Sequence, residues 1–405
     1  MNILLVSSYL PYPLFSGGHI RLYNLIKELS YKHKITLICE KRYYQGQAEI
    51  TEVKKFCKKI ITVNRKKQWT INNILKSGLS LSPFLITGHK SKHMKKEIQK
   101  ELSVSQFDLI HAETSYIIQN IPPTKVPIVL VEHNVEYLVY KRFADSAPLP
   151  LRPLLYIDVL KLKYWEENIW KKVTKLVAVS EIEKRIMSRI RKDVLIVSNG
   201  VDTTKFKIQS PIQSGTKFKI NQVEKRILFI GEFKWIQNRD SIEWILKEIW
   251  PLLNERLKMK NEKLLLWIVG REIPESIKKM IDDQNIIFDE NAPQKTEEIY
   301  QKSYLLLAPI RVGGGTSFKI LEAMACGVPV ITTPLGNAIN ASGNLEIVIA
   351  NNSEEFVDKI KKLLEDENFY DTISANGRKF VEKKFNWRKI SNDLNSVYES
   401  VVSYA

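Results

Sequence analysis

The residues best suited to hold a phosphorylated ligand are Gly313, Gly314, Gly315, Thr316, Lys319 and Glu322, which stand close together in one stretch. Glycines that lead into a helix leave backbone N–H groups open to an anion, and the positive end of the helix adds to the attraction. Lys319 falls in the first turns of such a helix, within reach of a phosphate, and Arg311 precedes the loop. A glycine turn before a helix is common on its own. The string from Leu307 to Val330 is far more restrictive, because it reads strand, glycine loop, helix, glycine and strand in succession.

Other chemistry-bearing residues lie at similar junctions. Ser16-Gly17-Gly18-His19 follows a first apolar run and precedes a helical stripe; it reads as an ordinary turn or as a loop beside a ligand. Val131-Glu132-His133-Asn134-Val135-Glu136 ends another apolar run. A lone His is more often structural, but this one closes a parallel strand, where α/β sites lie. Asn199-Gly200 is a good turn in its own right. His89 and His93 have the spacing of helical metal ligands, yet lysines surround them and no third ligand stands near. Without an Asp-x-Asp pair, the expectation is that no metal and no cofactor is needed.

These residues must be positioned by alternating strands and helices. Short apolar runs alternate with longer amphipathic ones through most of the chain, which predicts βα units and parallel sheets. In the first half the strands are expected at Ile3–Val6, Ile35–Cys39, Ile60–Val63, Leu109–His111, Ile128–Glu132, Leu176–Val179 and Leu195–Val197. A second alternation begins at Ile227–Ile230 and continues through Leu264–Val269, Ile286–Phe288, Leu305–Ala308, Val328–Thr332 and Ile347–Ile349. The fold class expected is α/β, with two Rossmann-like, doubly wound parallel-sheet domains. The first spans 1–207, a turn-rich linker 208–222, the second 223–385, and a last helix 386–405 packs back on the first.

With these motifs in place, the chain resembles the retaining glycosyltransferases of family four, which have the GT-B fold with two domains facing across a cleft. The resemblance rests on the string Leu307–Val330, on Ile227–Trp235 with Asn238 and Asp240, and on Ser198-Asn199-Gly200-Val201-Asp202. It implies that Glu322 holds the ribose hydroxyls of a nucleotide-sugar donor and that His133 approaches the reacting sugar, with Lys319 also in the reaction. It further implies that Gly17, Gly18, Asn199, Gly313, Gly314, Gly315 and Thr316 line the donor. The family pattern has two glutamates; Glu322 is the second, and the first would fall at Gly314. Its Arg and Lys for the diphosphate are replaced by Glu232 and Gln237. Lys319, Arg311, Arg239 and Lys234, in that order, are the cations left to meet the phosphate charge. The reaction implied is transfer of a hexose-type sugar to a hydroxyl of a glycan or lipid-linked acceptor. An epimerase or phosphorylase of the same fold is the alternative, and a basic membrane-surface protein the non-enzymatic one.

Charge adds a further expectation. Residues 1–207 hold 35 Lys and Arg against 18 Asp and Glu, a balance of +17, whereas residues 208–405 hold 27 of each. The first half therefore carries the whole excess. It points to a solvated basic surface or to an anionic membrane; no nucleic-acid motif accompanies it. Three cysteines without a CxxC pair suit a reducing compartment. The expected location is cytoplasmic, with peripheral attachment at the inner membrane face as the second expectation.

Overall fold

Strands covered on both faces need unbroken apolar runs, and the first such run sets the pattern for the chain. Ile3, Leu4, Leu5 and Val6 are each no more than 1% exposed. They form β1 (Asn2–Ser7), followed by β2 (Lys34–Lys41), β3 (Lys59–Asn64), β4 (Leu109–Glu113), β5 (Ile128–Glu132), β6 (Lys175–Ala178) and β7 (Leu195–Ile196). The computed structural model describes residues 1–208, 224–257, 263–291, 295–312 and 315–403. Among these residues the first seven strands make one parallel sheet in the order β3-β2-β1-β4-β5-β6-β7. The next six are β8 (Glu224–Ile230), β9 (Lys263–Val269), β10 (Ile286–Asp289), β11 (Leu305–Ala308), β12 (Val330–Thr332) and β13 (Val348–Ile349). They make a second parallel sheet, β10-β9-β8-β11-β12-β13.

The chain divides into two units, Met1–Ser198 with Ile390–Ala405, and Asn199–Lys389. The division falls at Ser198, ahead of the boundary at 207 read from composition; linker residues 209–222 lie outside the described residues. In each sheet the winding direction reverses beside the first strand, between β1 and β4 and between β8 and β11. Such a reversal splays the loops at the carboxyl ends apart and leaves a crevice there.

Helices cover the sheets through the faces their sequences make apolar. In Gly17–Leu29 the residues Leu22, Leu25, Ile26 and Leu29 are buried, at the spacing of one helical face. Arg21 on the same helix is also buried, at 1% exposed, and donates to the carbonyls of Ser198 and Val197 at 2.6 and 2.8 Å. In the second unit, helix Phe318–Ala325 buries Ile320, Leu321, Ala323, Met324 and Ala325 between β11 and β12.

Candidate functional site

In the first unit the crevice between β1 and β4 gathers residues that are far apart in sequence. Glu113 ends β4 and is fully buried. Its Oε1 receives His133 Nε2 at 2.5 Å and the Tyr9 hydroxyl at 3.4 Å, and its Oε2 receives His111 Nε2 at 2.6 Å. Burial by itself would raise the Glu113 carboxyl. The imidazoles of His133 and His111 outweigh it and hold the group below the ordinary carboxylate range.

An ionised carboxylate only accepts hydrogen bonds, so both Nε2 atoms carry their protons. His111 Nδ1 lies 2.5 Å from the Tyr398 hydroxyl. His133, with its side chain 17% exposed, is left with Nδ1 as its second ring nitrogen. Gly18 lies against this group. A Cβ there would sit 3.1 Å from the Tyr9 hydroxyl and 3.5 Å from His133 Cε1. The structure thus brings Gly18 and His133 together, with Gly17 opening the helix beside them.

Glu113, Tyr9, His111 and Tyr398 were missed by sequence reasoning. The expected strand ended at His111, two residues short of the carboxyl end observed. Thr114, directly after Glu113, is a β-branched residue at φ 68°. Such an outlier costs of the order of 1–3 kcal/mol and tends to accompany functional sites.

Glu132 and Glu136 join Glu166 in a second cluster, which adjoins His133 through Glu136. Glu132 accepts from Ser115 N at 3.1 Å and Trp170 Nε1 at 3.2 Å; Glu166 accepts from the amides of Glu136 and Tyr137. All three are buried, and burial followed by the Glu136 charge pushes the Glu132 carboxyl up. Its folded value exceeds its unfolded one, so the folded state holds the extra proton. Stability then falls as pH rises from about 4.3 toward the raised value. Glu132→Gln should therefore melt higher than the wild type at pH 8 and lose that advantage at pH 5, as scanning calorimetry would show. An equal difference at both values would mean that Glu132 is ionised in the fold.

In the second unit the corresponding crevice lies between β8 and β11. Gly231 follows β8 and Gly270 follows β9. A Cβ on Gly270 would fall 2.0 Å from the Gly231 carbonyl, and one on Gly231 2.6 Å from Asn238 Cγ. Only glycine lets these strand ends close up on Asn238. Asn238 Nδ2 donates to the Glu232 carbonyl at 2.8 Å, and its Oδ1 accepts from Lys319 Nζ at 2.8 Å. Lys319 is half-buried over the Phe229 ring, and burial lowers its amine to about 8.

One helical turn on, Glu322 accepts from the Tyr300 hydroxyl at 2.8 Å, and burial pushes its carboxyl up to about 7. Gly315 has φ 81°, a conformation glycine adopts freely. Thr316 is buried, and its carbonyl accepts from Asn199 Nδ2 at 3.3 Å. Gly313 and Gly314 lie outside the described residues.

The other expected phosphate ligands have partners within the chain. Arg311 pairs with Asp240 at 2.9 Å and lies over the Trp244 ring; Lys234 pairs with Glu232 at 2.6 Å. Arg239 donates to the carbonyls of Phe233 and Lys234. Of the four cations Lys319 is the one held by a neutral side chain, the Asn238 amide. Among the described residues no group of three His, Cys, Asp or Glu could hold a metal ion.

Comparison with known proteins agrees with this fold. Residues 15–205 match the family described as Glycosyltransferase Family 4, and residues 224–366 that described as Glycosyl transferases group 1. An uncharacterized 44.6 kDa protein of the cps region in Klebsiella pneumoniae is 23% identical, over 97% of this chain and 98% of its own. The capsular polysaccharide biosynthesis glycosyltransferase CapM of Staphylococcus aureus is 27% identical, over 62% of this chain and 69% of its own. Among solved structures, the sucrose-phosphate synthase of Thermosynechococcus elongatus superposes with a TM-score of 0.71 at 15% identity, covering all of both chains. Anabaena HepE in complex with UDP-glucose superposes at 0.63 and 14% identity, covering 99% of this chain and 100% of its own.

Proposed function

We propose, for a chain that is itself a glycosyltransferase of the GT-B type like those of family four, transfer of a hexose-type sugar from a nucleotide-sugar donor. The acceptor is a hydroxyl on a glycan or lipid-linked sugar, and the anomeric configuration is retained. One observation carries the reading. Lys319 and Glu322 are both partly buried on one helix, and each is held by a neutral partner. Such a pair suits a diphosphate beside a ribose. The UDP-glucose complex of HepE supports a nucleoside-diphosphate hexose as the donor class.

Breaking the bond between the sugar and the diphosphate leaves positive charge on the ring and negative charge on the leaving phosphate. Lys319 and the amides of Gly315 and Thr316 meet the negative charge ahead of the helix start, and by family resemblance Gly313 and Gly314 join them. Each such donor contributes up to about 3 kcal/mol of barrier lowering. Glu322 accepts from the ribose hydroxyls, while Asn199 steadies the loop through Thr316. Arg311, Arg239 and Lys234 serve the phosphate only by leaving their present partners. In the first unit His133, its tautomer set by Glu113, turns Nδ1 to the reacting sugar beside Gly17 and Gly18.

The test is a thermal-shift panel of nucleotide diphosphates and nucleotide sugars, since a bound donor raises the melting temperature by mass action. Product anomers are then read by NMR with and without acceptor. A product sugar whose C1 is inverted would overturn retention, and donor epimerised without acceptor would favour the epimerase alternative. Turnover should survive excess chelator, because the leaving charge is met by Lys319 and backbone amides. Complete loss restored by magnesium or manganese would refute this.

A further inference from the structure

A helix that is apolar all round ordinarily lies inside a protein. The helix Arg152–Lys172 is apolar on two sides in its first half, but only one of them is covered. Its inner side sends Val159 and Leu162 into a core with Ile86, Tyr140 and Ala144. Its outer side carries Leu154, Ile157, Leu160 and Tyr164 as one stripe, 68%, 52%, 65% and 71% exposed. The short helix Ile71–Gly78 is fastened alongside. Ser77 Oγ donates to Asp158 Oδ1 at 3.2 Å, and Lys161 Nζ to the Ser77 carbonyl at 2.8 Å. Around this anchor Leu75 and Leu79 are 56% and 87% exposed. Single exposed leucines are normal on a protein surface, whereas a joined set marks a place of contact.

The charges identify what covers it. From Val53 to Lys96 the chain has twelve Lys and Arg and no Asp or Glu. Between 148 and 164 the acid is Asp158, which is buried and accepts from Phe84 N. Trp69, packed against Phe84 but 65% exposed, adds an aromatic edge. Leucines flanked by aromatics and by cations without acids match the interface of an anionic bilayer. A second copy fits poorly, because a two-fold contact would set these cations against each other. A nucleic acid would use the cations and leave the leucines uncovered.

We infer that the face built from residues 69–81 and 149–164 seats the first unit on an anionic phospholipid leaflet. The leucines enter the boundary between headgroups and acyl chains, and the lysines lie among the headgroups. The helix Lys92–Val104 exposes only Lys92, His93, Lys95 and Lys96 in its first turns, so it adds charge without insertion. The surface is argued apart from the transfer reaction, and partition rather than turnover reads it.

The experiment floats the full chain with vesicles of phosphatidylcholine alone or mixed with phosphatidylglycerol. Binding to the anionic vesicles at low salt is expected, with a fluorescence blue shift that Trp69→Phe diminishes. Leu79→Glu with Leu160→Glu should lower partition about tenfold or more at an unchanged melting temperature. Lys92→Glu with Lys95→Glu and Lys96→Glu should lower it less. The inference is overturned if the wild type ignores anionic vesicles or the leucine variant binds as well as the wild type. It is equally overturned if those leucines hold a lipid-free dimer together, or if nucleic acid binding depends on them.

Discussion

Glu113→Gln is expected to cut turnover by about 10²–10⁴-fold, the span that positioned acid–base groups supply, while donor affinity changes little. An amide is both donor and acceptor, so it cannot accept from His111 and His133 together as the carboxylate does. One imidazole must then change tautomer or turn away. Glu113 is thus a positioning residue acting through His133, and the two substitutions should be strongly non-additive. Steady-state kinetics on the single variants and the double variant would show it: His133→Ala with Glu113→Gln should be scarcely slower than His133→Ala alone. Fully additive losses would mean that Glu113 does not act through His133.

A linked effect on stability has a definite sign. Because the folded value of Glu113 is depressed, its stabilisation is full above the unfolded carboxylate value of about 4.3 and is lost in more acid solution. The melting gap between wild type and Glu113→Gln should therefore close on acidification.

The second large effect concerns Glu322. Charge-assisted hydrogen bonds contribute about 1.5–3 kcal/mol each, so Glu322→Gln should weaken nucleotide-diphosphate binding by roughly ten- to a hundredfold. The fold should survive, since a glutamine oxygen still accepts from Tyr300. Burial pushes the carboxyl up to about 7 and the Lys319 amine down to about 8. Wild-type affinity should accordingly improve as pH rises through the first value and decline above the second; the variant should lose the acid limb alone. Isothermal calorimetry across this range tests both statements. An unchanged affinity with only a lower melting temperature would leave Glu322 as a helix residue favourable to the dipole.

How much of this was legible depended on whether local pattern or distant partners decided the outcome. Both sheets were readable, because each parallel strand is an apolar run bounded by turn formers. β1 and β8 fall where Ile3–Val6 and Ile227–Ile230 predicted. His133 was readable as a strand-end residue, and Gly18 as part of the turn that leads into the first helix. Glu113 was not, because strand β4 continues past His111 through Ala112, and a Glu reads as the start of a loop. The ranking of the phosphate ligands met the same limit. Arg311 finds Asp240, which lies 71 residues earlier, and no local spacing announces that pair. The buried Arg21 is invisible in the same way, since a cation on a helix reads as solvated.

The inclusion of Ile390–Ala405 in the first unit has a consequence for synthesis. Tyr398, which caps the His111 ring, is encoded after the whole second unit, residues 199–389. A ribosome adding about 5–20 residues per second needs about 10–40 s to make those 191 residues. Through that interval the nascent first sheet can pair its strands, yet His111 has no phenol to meet and the ground beneath Glu113 stays open. The part of the molecule begun first is therefore completed last.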